Sequence, residues 1–104
     1  MTHPIRVLVV DDSAMMRMIT NNIVSRIPGA RVVAVCENGQ VALQQLAAAA
    51  PDVILTDIEM PVMDGLTFLR QCRLRTRAAI IILSSVANMG NPNVDLAKKL
   101  GASA

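Results

Sequence analysis

The sequence has no tryptophan, no tyrosine and a single phenylalanine, Phe68. Base stacking on aromatic platforms therefore has no support. A net charge of +2 is too small to imply a nucleic-acid partner. No apolar stretch approaches the ~20 residues that a membrane span needs. The start, Met1-Thr2-His3-Pro4, runs straight into a strand-like segment and has none of the organisation of a signal peptide. No membrane insertion and a cytoplasmic location are the resulting expectations. The 2 cysteines, Cys36 and Cys72, form no C-x-x-C pair and read as reduced, partly buried thiols. The lone histidine, His3, reads as a solvated residue near the start. Repeats, linkers and low-complexity segments are also lacking, so residues 1–104 read as one domain.

What is there is an alternation of two patterns. Ile5 to Val10 is a short, β-branched, apolar run ended by Asp11-Asp12, the pattern of a buried strand. Ser13 is suited to cap a helix on which Met16, Ile19, Ile23 and Ile27 recur, and Pro28-Gly29 stops it. Arg31 to Cys36 is a second strand candidate, Asn38-Gly39 a turn, and Val41 to Ala49 a helix. After Pro51, Asp52 to Thr56 reads as the third strand, with Asp52 at its entry. A third helix opens at Asp64 or Gly65 and runs to about Arg73. Ile80 to Leu83 is the fourth strand, and Val94 to Leu100 a last helix stopped by Gly101. Strands alternating with helices argue an α/β fold, a parallel sheet covered on both faces.

In such sheets ligands bind beyond the carboxyl ends of the strands, at the point where strand order reverses. Asp11, Asp12, Asp57 and Ser84 all fall at expected carboxyl ends. Three carboxylates brought together repel, and a bound cation relieves that repulsion. Magnesium accepts such oxygen ligands, with water and phosphate completing its shell. Aspartate is also a covalent nucleophile that forms an aspartyl phosphate, and Asp57 suits that role at a firm but accessible strand end. The backbone carbonyl of Glu59 is a further candidate metal ligand, and Ser84 offers a hydroxyl to phosphoryl oxygens. Met15, Met16 and Met18 read as core and flank packing. Arg70, Arg73, Arg75 and Arg77 read either as a solvated helix end, where cations suit the dipole, or as a patch for docking a partner.

These residues add up to a known pattern. Val9-Val10-Asp11-Asp12-Ser13, then Thr56-Asp57-Ile58-Glu59-Met60-Pro61-Val62-Met63-Asp64-Gly65, then Leu83-Ser84-Ser85 follow in order. With them the chain resembles the receiver domains of two-component response regulators. It is most similar to the regulatory domain of chemotaxis protein-glutamate methylesterases. The resemblance implies a flavodoxin-like, doubly wound, three-layer αβα fold with strand order 2-1-3-4-5. It implies Asp57 as phospho-acceptor, Asp11 and Asp12 as magnesium-binding acids, the Glu59 carbonyl as metal ligand and Ser84 as switch hydroxyl. A sensor histidine kinase is the implied donor, and a C-terminal hydrolase the implied output of the parent.

The family's pattern continues into a fifth strand, an essential lysine and a fifth helix, whereas this sequence ends at Gly101-Ala102-Ser103-Ala104. Lys98 and Lys99 precede that glycine and do not match the essential lysine. The domain is therefore expected to be truncated at its C-terminus, with strand four an open edge prone to self-association. The competing chemical reading is an enzyme, a haloacid-dehalogenase-like phosphatase or phosphotransferase with a nucleophilic aspartate. Such sites usually carry a second aspartate two residues on, where this sequence has Glu59, and that reading leaves Asp11-Asp12 unexplained.

Overall fold

A computed structural model of the chain describes residues 3–57, 63 and 65–83. Among these residues strands and helices alternate strictly. The order is β1 (Ile5–Val10), α1 (Ala14–Ser25), β2 (Ala30–Cys36), α2 (Gly39–Ala49), β3 (Val53–Thr56), α3 (Gly65–Arg75) and β4 (Ala79–Ile82). The strands form one parallel sheet in the order β2-β1-β3-β4. The chain moves outward from β1 to β2, then crosses back over β1 to β3 and β4. The reversal of direction therefore falls between β1 and β3. This is the flavodoxin-like arrangement.

Strand β1 shows why the sheet needs cover on both sides. Leu8 and Val10 point into a core with Ala42 and Leu46 of α2, Phe68, Leu69 and Cys72 of α3, and Ile54 and Ile80. Val7 and Val9 point the other way, against Val24 of α1, with Val53 and Leu55 beside them. Successive side chains of a strand face opposite sides, so a run apolar at every position is stable only between two layers. Each such side chain is worth about 1.5–3 kcal/mol when fully buried. The pairing of β1 with β2 carries one irregularity. Val7 sits opposite Val32 but Leu8 opposite Ala34, so Val33 is an extra residue on β2.

Several boundaries differ from the sequence reading, each for a local reason. Asn38 is not a turn residue but the cap of α2, its side chain accepting from the Val41 N–H at 2.9 Å. Asparagine serves both roles, and the helix accordingly begins two residues earlier. Helix α3 runs on to Arg75 and β3 begins at Val53. Strand β4 is shifted one residue back, starting at Ala79. Among the described residues the fourth strand pairs with β3 alone; its Ile80 is fully buried, and residues 79 and 81–83 are half-buried. The last helix expected, Val94 to Leu100, lies outside the described residues.

Helix α1 departs most. Ser13 caps it, accepting from the Met16 N–H at 3.2 Å. Its buried residues are Thr20 and Val24, while Met16, Ile19, Ile23 and Ile27 remain 40–58% exposed. Thr20 and Val24 each follow a member of the expected stripe, which places them about 100° further round the helix. Met15 and Met18 face solvent too, at 66% and 60%, rather than packing in the core. The stripe instead walls a groove of about 550 Å³, closed on its other side by Leu55 and Leu83.

Long-range hydrogen bonds pin the opposite, amino-terminal end of the sheet. The Arg6 guanidinium donates to the Ala49 carbonyl from Nη2 at 2.7 Å and Nε at 3.0 Å, and Nε also reaches the Ala50 carbonyl at 3.2 Å. It thereby satisfies carbonyls that the end of α2 leaves open. The Arg6 N–H donates to Asp52 Oδ2 at 2.9 Å, and the Asp52 N–H returns to the Arg6 carbonyl at 2.8 Å. Within the arginine cluster, Arg73 donates to the Ala78 carbonyl at 2.6 Å and so ties α3 to the start of β4.

The first residue of α2 touches α3 closely. A methyl group at Gly39 would lie 3.1 Å from Cβ and Cδ1 of Phe68, and Phe68 is fully buried. Gly39→Ala gains up to about 1 kcal/mol of helix propensity, but overpacking costs about 1–3 kcal/mol. The Phe68 Cβ cannot swing aside. We expect a net loss of about 1 kcal/mol in urea denaturation. The loss should shrink when Gly39→Ala is made in a Phe68→Leu background. Because leucine keeps the Cβ, equal losses in both backgrounds would show that the Phe68 ring does not set the cost.

Candidate functional site

Two strand ends build the site. Val10 of β1 pairs with Thr56 of β3, the last matched residues of that ladder. Asp11 and Asp57 follow them on adjacent strands. The Asp57 N–H donates to the Val10 carbonyl at 3.1 Å, which carries the ladder one step further. Thr56, 1% exposed, donates from its hydroxyl to the Asp57 carbonyl at 2.8 Å. On the other flank the Asp11 N–H donates to the Cys36 carbonyl at 3.0 Å. The backbone beneath both acids is thus held by the sheet.

The side chains converge. One carboxylate oxygen from each of Asp11, Asp12 and Asp57 lies within 4.8 Å of the others, the first buried, the second exposed and the third half-buried. Asp11 Oδ1 accepts from the Ser13 N–H at 2.9 Å. Burial pushes the Asp11 carboxyl above its ordinary value, against the lowering effect of the Ser13 bond. The charges of Asp57 and Asp12, and a side-chain hydrogen bond with Asp12, push it further up. Three hard oxygen donors, graded from buried to exposed at a rim, fit a divalent cation that keeps part of its water shell. The groove along α1 begins here, with Asp11 and Asp57 in its lining.

The structure therefore brings together the three aspartates singled out in the sequence. Glu59, Asp64 and Ser84 lie outside the described residues. A residue that sequence reasoning missed is Arg17, whose Nη1 donates to the Asp11 carbonyl at 2.8 Å. Its only signal was a basic residue one turn into a helix that follows two acids. The cysteines offer no second chemistry. Both are free and buried; burial raises the Cys36 thiol and pushes Cys72 up to about 12 against the lowering effect of Arg73 and Arg75. Such thiols stay protonated and inert at neutral pH. Among the described residues, no helix is long and apolar enough to cross a membrane.

Comparison with known proteins agrees with this arrangement. The chain is 46% identical over 103 residues to a protein-glutamate methylesterase/protein-glutamine glutaminase of Treponema pallidum, covering 98% of this chain and 26% of that protein. It thus spans about a quarter of the length of the curated relatives it matches. Its fold superimposes on the response regulator domain of Thermotoga maritima CheB with a TM-score of 0.89 and 37% identity, covering 97% of this chain and 75% of that one. A chain in the crystal structure of the P1 domain of CheA3 in complex with CheY6 from R. sphaeroides matches with a TM-score of 0.82 and 50% identity, covering 98% and 80%. The response regulator receiver domain model matches residues 7–104, and the chain belongs to that family.

Proposed function

We propose that this receiver domain accepts a phosphoryl group on Asp57, with Asp11, Asp12 and Asp57 holding a magnesium ion and the Glu59 carbonyl adding a ligand. The observation that carries the reading is the approach of three carboxylates to within 4.8 Å at the reversal between β1 and β3. A carboxylate oxygen of Asp57 attacks the phosphorus of a phosphohistidine. The P–O bond forms as the P–N bond breaks, and the departing imidazole keeps the electron pair and takes a proton from solvent. A magnesium ion held by Asp11, Asp12 and Asp57 would supply positive charge to the phosphoryl oxygens. Hydrogen bonds from the Asp57 N–H to Val10 and from the Thr56 hydroxyl to the Asp57 carbonyl hold the nucleophile's backbone in place. Ser84 contributes its hydroxyl to the transferred group and so links phosphorylation to a change of shape.

The donor in this reading is a cytoplasmic sensor histidine kinase, a proposal supported by similarity to a chain from a complex containing the CheA3 P1 domain. The receiver domain itself acts as a switch rather than an enzyme. Its output in a longer parent is a C-terminal methylesterase, as the methylesterase relatives suggest.

Incubation with labelled acetyl phosphate tests the acceptor. Label should require magnesium, vanish with chelator, and fall to background in Asp57→Asn, whose amide is nearly isosteric but a poor nucleophile. Retained label in an Asp57→Asn protein with a native circular dichroism spectrum would refute the assignment.

Asp11 gives an independent test of the cation. Its folded pKa is raised, chiefly by burial, so ionisation opposes folding. The associated stability is full below the ordinary value of 3.8 and is lost as pH rises through the raised value. At pH 7 without metal, Asp11→Asn should therefore melt above the wild type. Magnesium at ten times its Kd should add about 1.4 kcal/mol to the wild type and little to the variant. Equal stabilisation of both proteins by magnesium would place the ion elsewhere.

A further inference from the structure

We infer that Arg17 is a positioning residue for the cation site, holding the backbone of Asp11 so that the carboxylates of Asp11 and Asp12 stay aimed at Asp57. The inference rests on the reading of those three aspartates as a magnesium site and extends it to a residue outside the ligand set.

Three hydrogen bonds close a ring. Asp11 Oδ1 accepts from the Ser13 N–H at 2.9 Å, the Ser13 carbonyl accepts from the Arg17 N–H at 2.9 Å, and Arg17 Nη1 donates back to the Asp11 carbonyl at 2.8 Å. The last bond spans six residues and is partly buried. Ser13 also caps α1, accepting from the Met16 N–H. The loop from β1 into α1 is therefore fastened to the first turn of the helix by both backbone and side chain. Asp12 lies inside that ring and is exposed. Its direction follows from the two peptide planes on either side of it, and the Arg17 bond fixes the first of those planes through the Asp11 carbonyl.

Arg17 acts here through geometry rather than charge. Its hydrogen bond goes to a main-chain carbonyl, which leaves the carboxylate oxygens available to a metal. The two roles predict opposite signs. Removing a positive charge beside a cation site tightens cation binding by relieving repulsion. Removing a bond that aims the ligands weakens it, typically by tenfold or more for groups just outside the ligand shell.

Magnesium titration of the full chain, followed by the amide resonances of residues 11–13 and 57, separates these outcomes. Arg17→Met keeps an unbranched apolar stem and loses the donor. Arg17→Lys keeps a charge and the single N–H donor that the bond needs. Arg17→Met should weaken magnesium binding by about tenfold, and Arg17→Lys should stay within about threefold of the wild type. Melting in chelator measures damage to the fold separately, and binding is compared well below either melting temperature. Unchanged or tighter binding in Arg17→Met overturns the inference, as does an equal loss in both variants. A wild-type chain that takes up no magnesium overturns the reading of the aspartates themselves, an outcome distinct from either.

Discussion

The parallel pairing of β1 with β3 is the constraint on which the site depends. Its register, ending with Val10 opposite Thr56, sets Asp11 and Asp57 on adjacent strands at the same height. A slip of one residue would turn every side chain of β1 to the opposite face. Leu8 and Val10 would leave the core they share with Phe68 and Ile80, and Val7 and Val9 would leave Val24. Several fully buried side chains, each worth about 1.5–3 kcal/mol, oppose that slip. The hydrophobic pattern of β1 thus fixes the separation of two carboxylates that take no part in the core.

Holding acids together has an electrostatic cost that the rim concentrates on Asp11. It is the most buried of the three and faces both of the others. The Ser13 N–H offsets part of the burden, but a main-chain dipole does not replace a full positive charge. Three oxygen donors held so close together suit a divalent cation. The same Ser13 caps the helix through its hydroxyl, so one short loop serves both the fold and the site.

Much of this was legible in the sequence because buried parallel strands announce themselves. Val7 to Val10 and Val53 to Leu55 are continuous apolar runs leading to acids, and their ends place Asp11, Asp12 and Asp57 without reference to any relative. The early acidic pair also argued against a phosphatase of the haloacid-dehalogenase type, and membership of the receiver family agrees. What escaped were features set by distant partners. The extra residue Val33 on β2, the reach of Arg6 to α2 and the reach of Arg17 to Asp11 have no local periodicity. The stripe on α1 misled differently. Its helical period was correct, but the helix buries the neighbouring positions Thr20 and Val24, because a period reveals that a face exists and not what lies opposite it.

The Arg6 clamp lies at the far end of the strand that leads to Asp11. There β1 is tied to the last turn of α2 by the guanidinium and to Asp52 by both of its peptide groups. At the near end it is tied through Asp11 to β2 and through Asp57 to β3. With both ends moored, the central strand behaves as a strut rather than a piston. A chemical event at the rim cannot travel by sliding β1 along its own axis. The sheet then serves as a fixed bed beneath the rim.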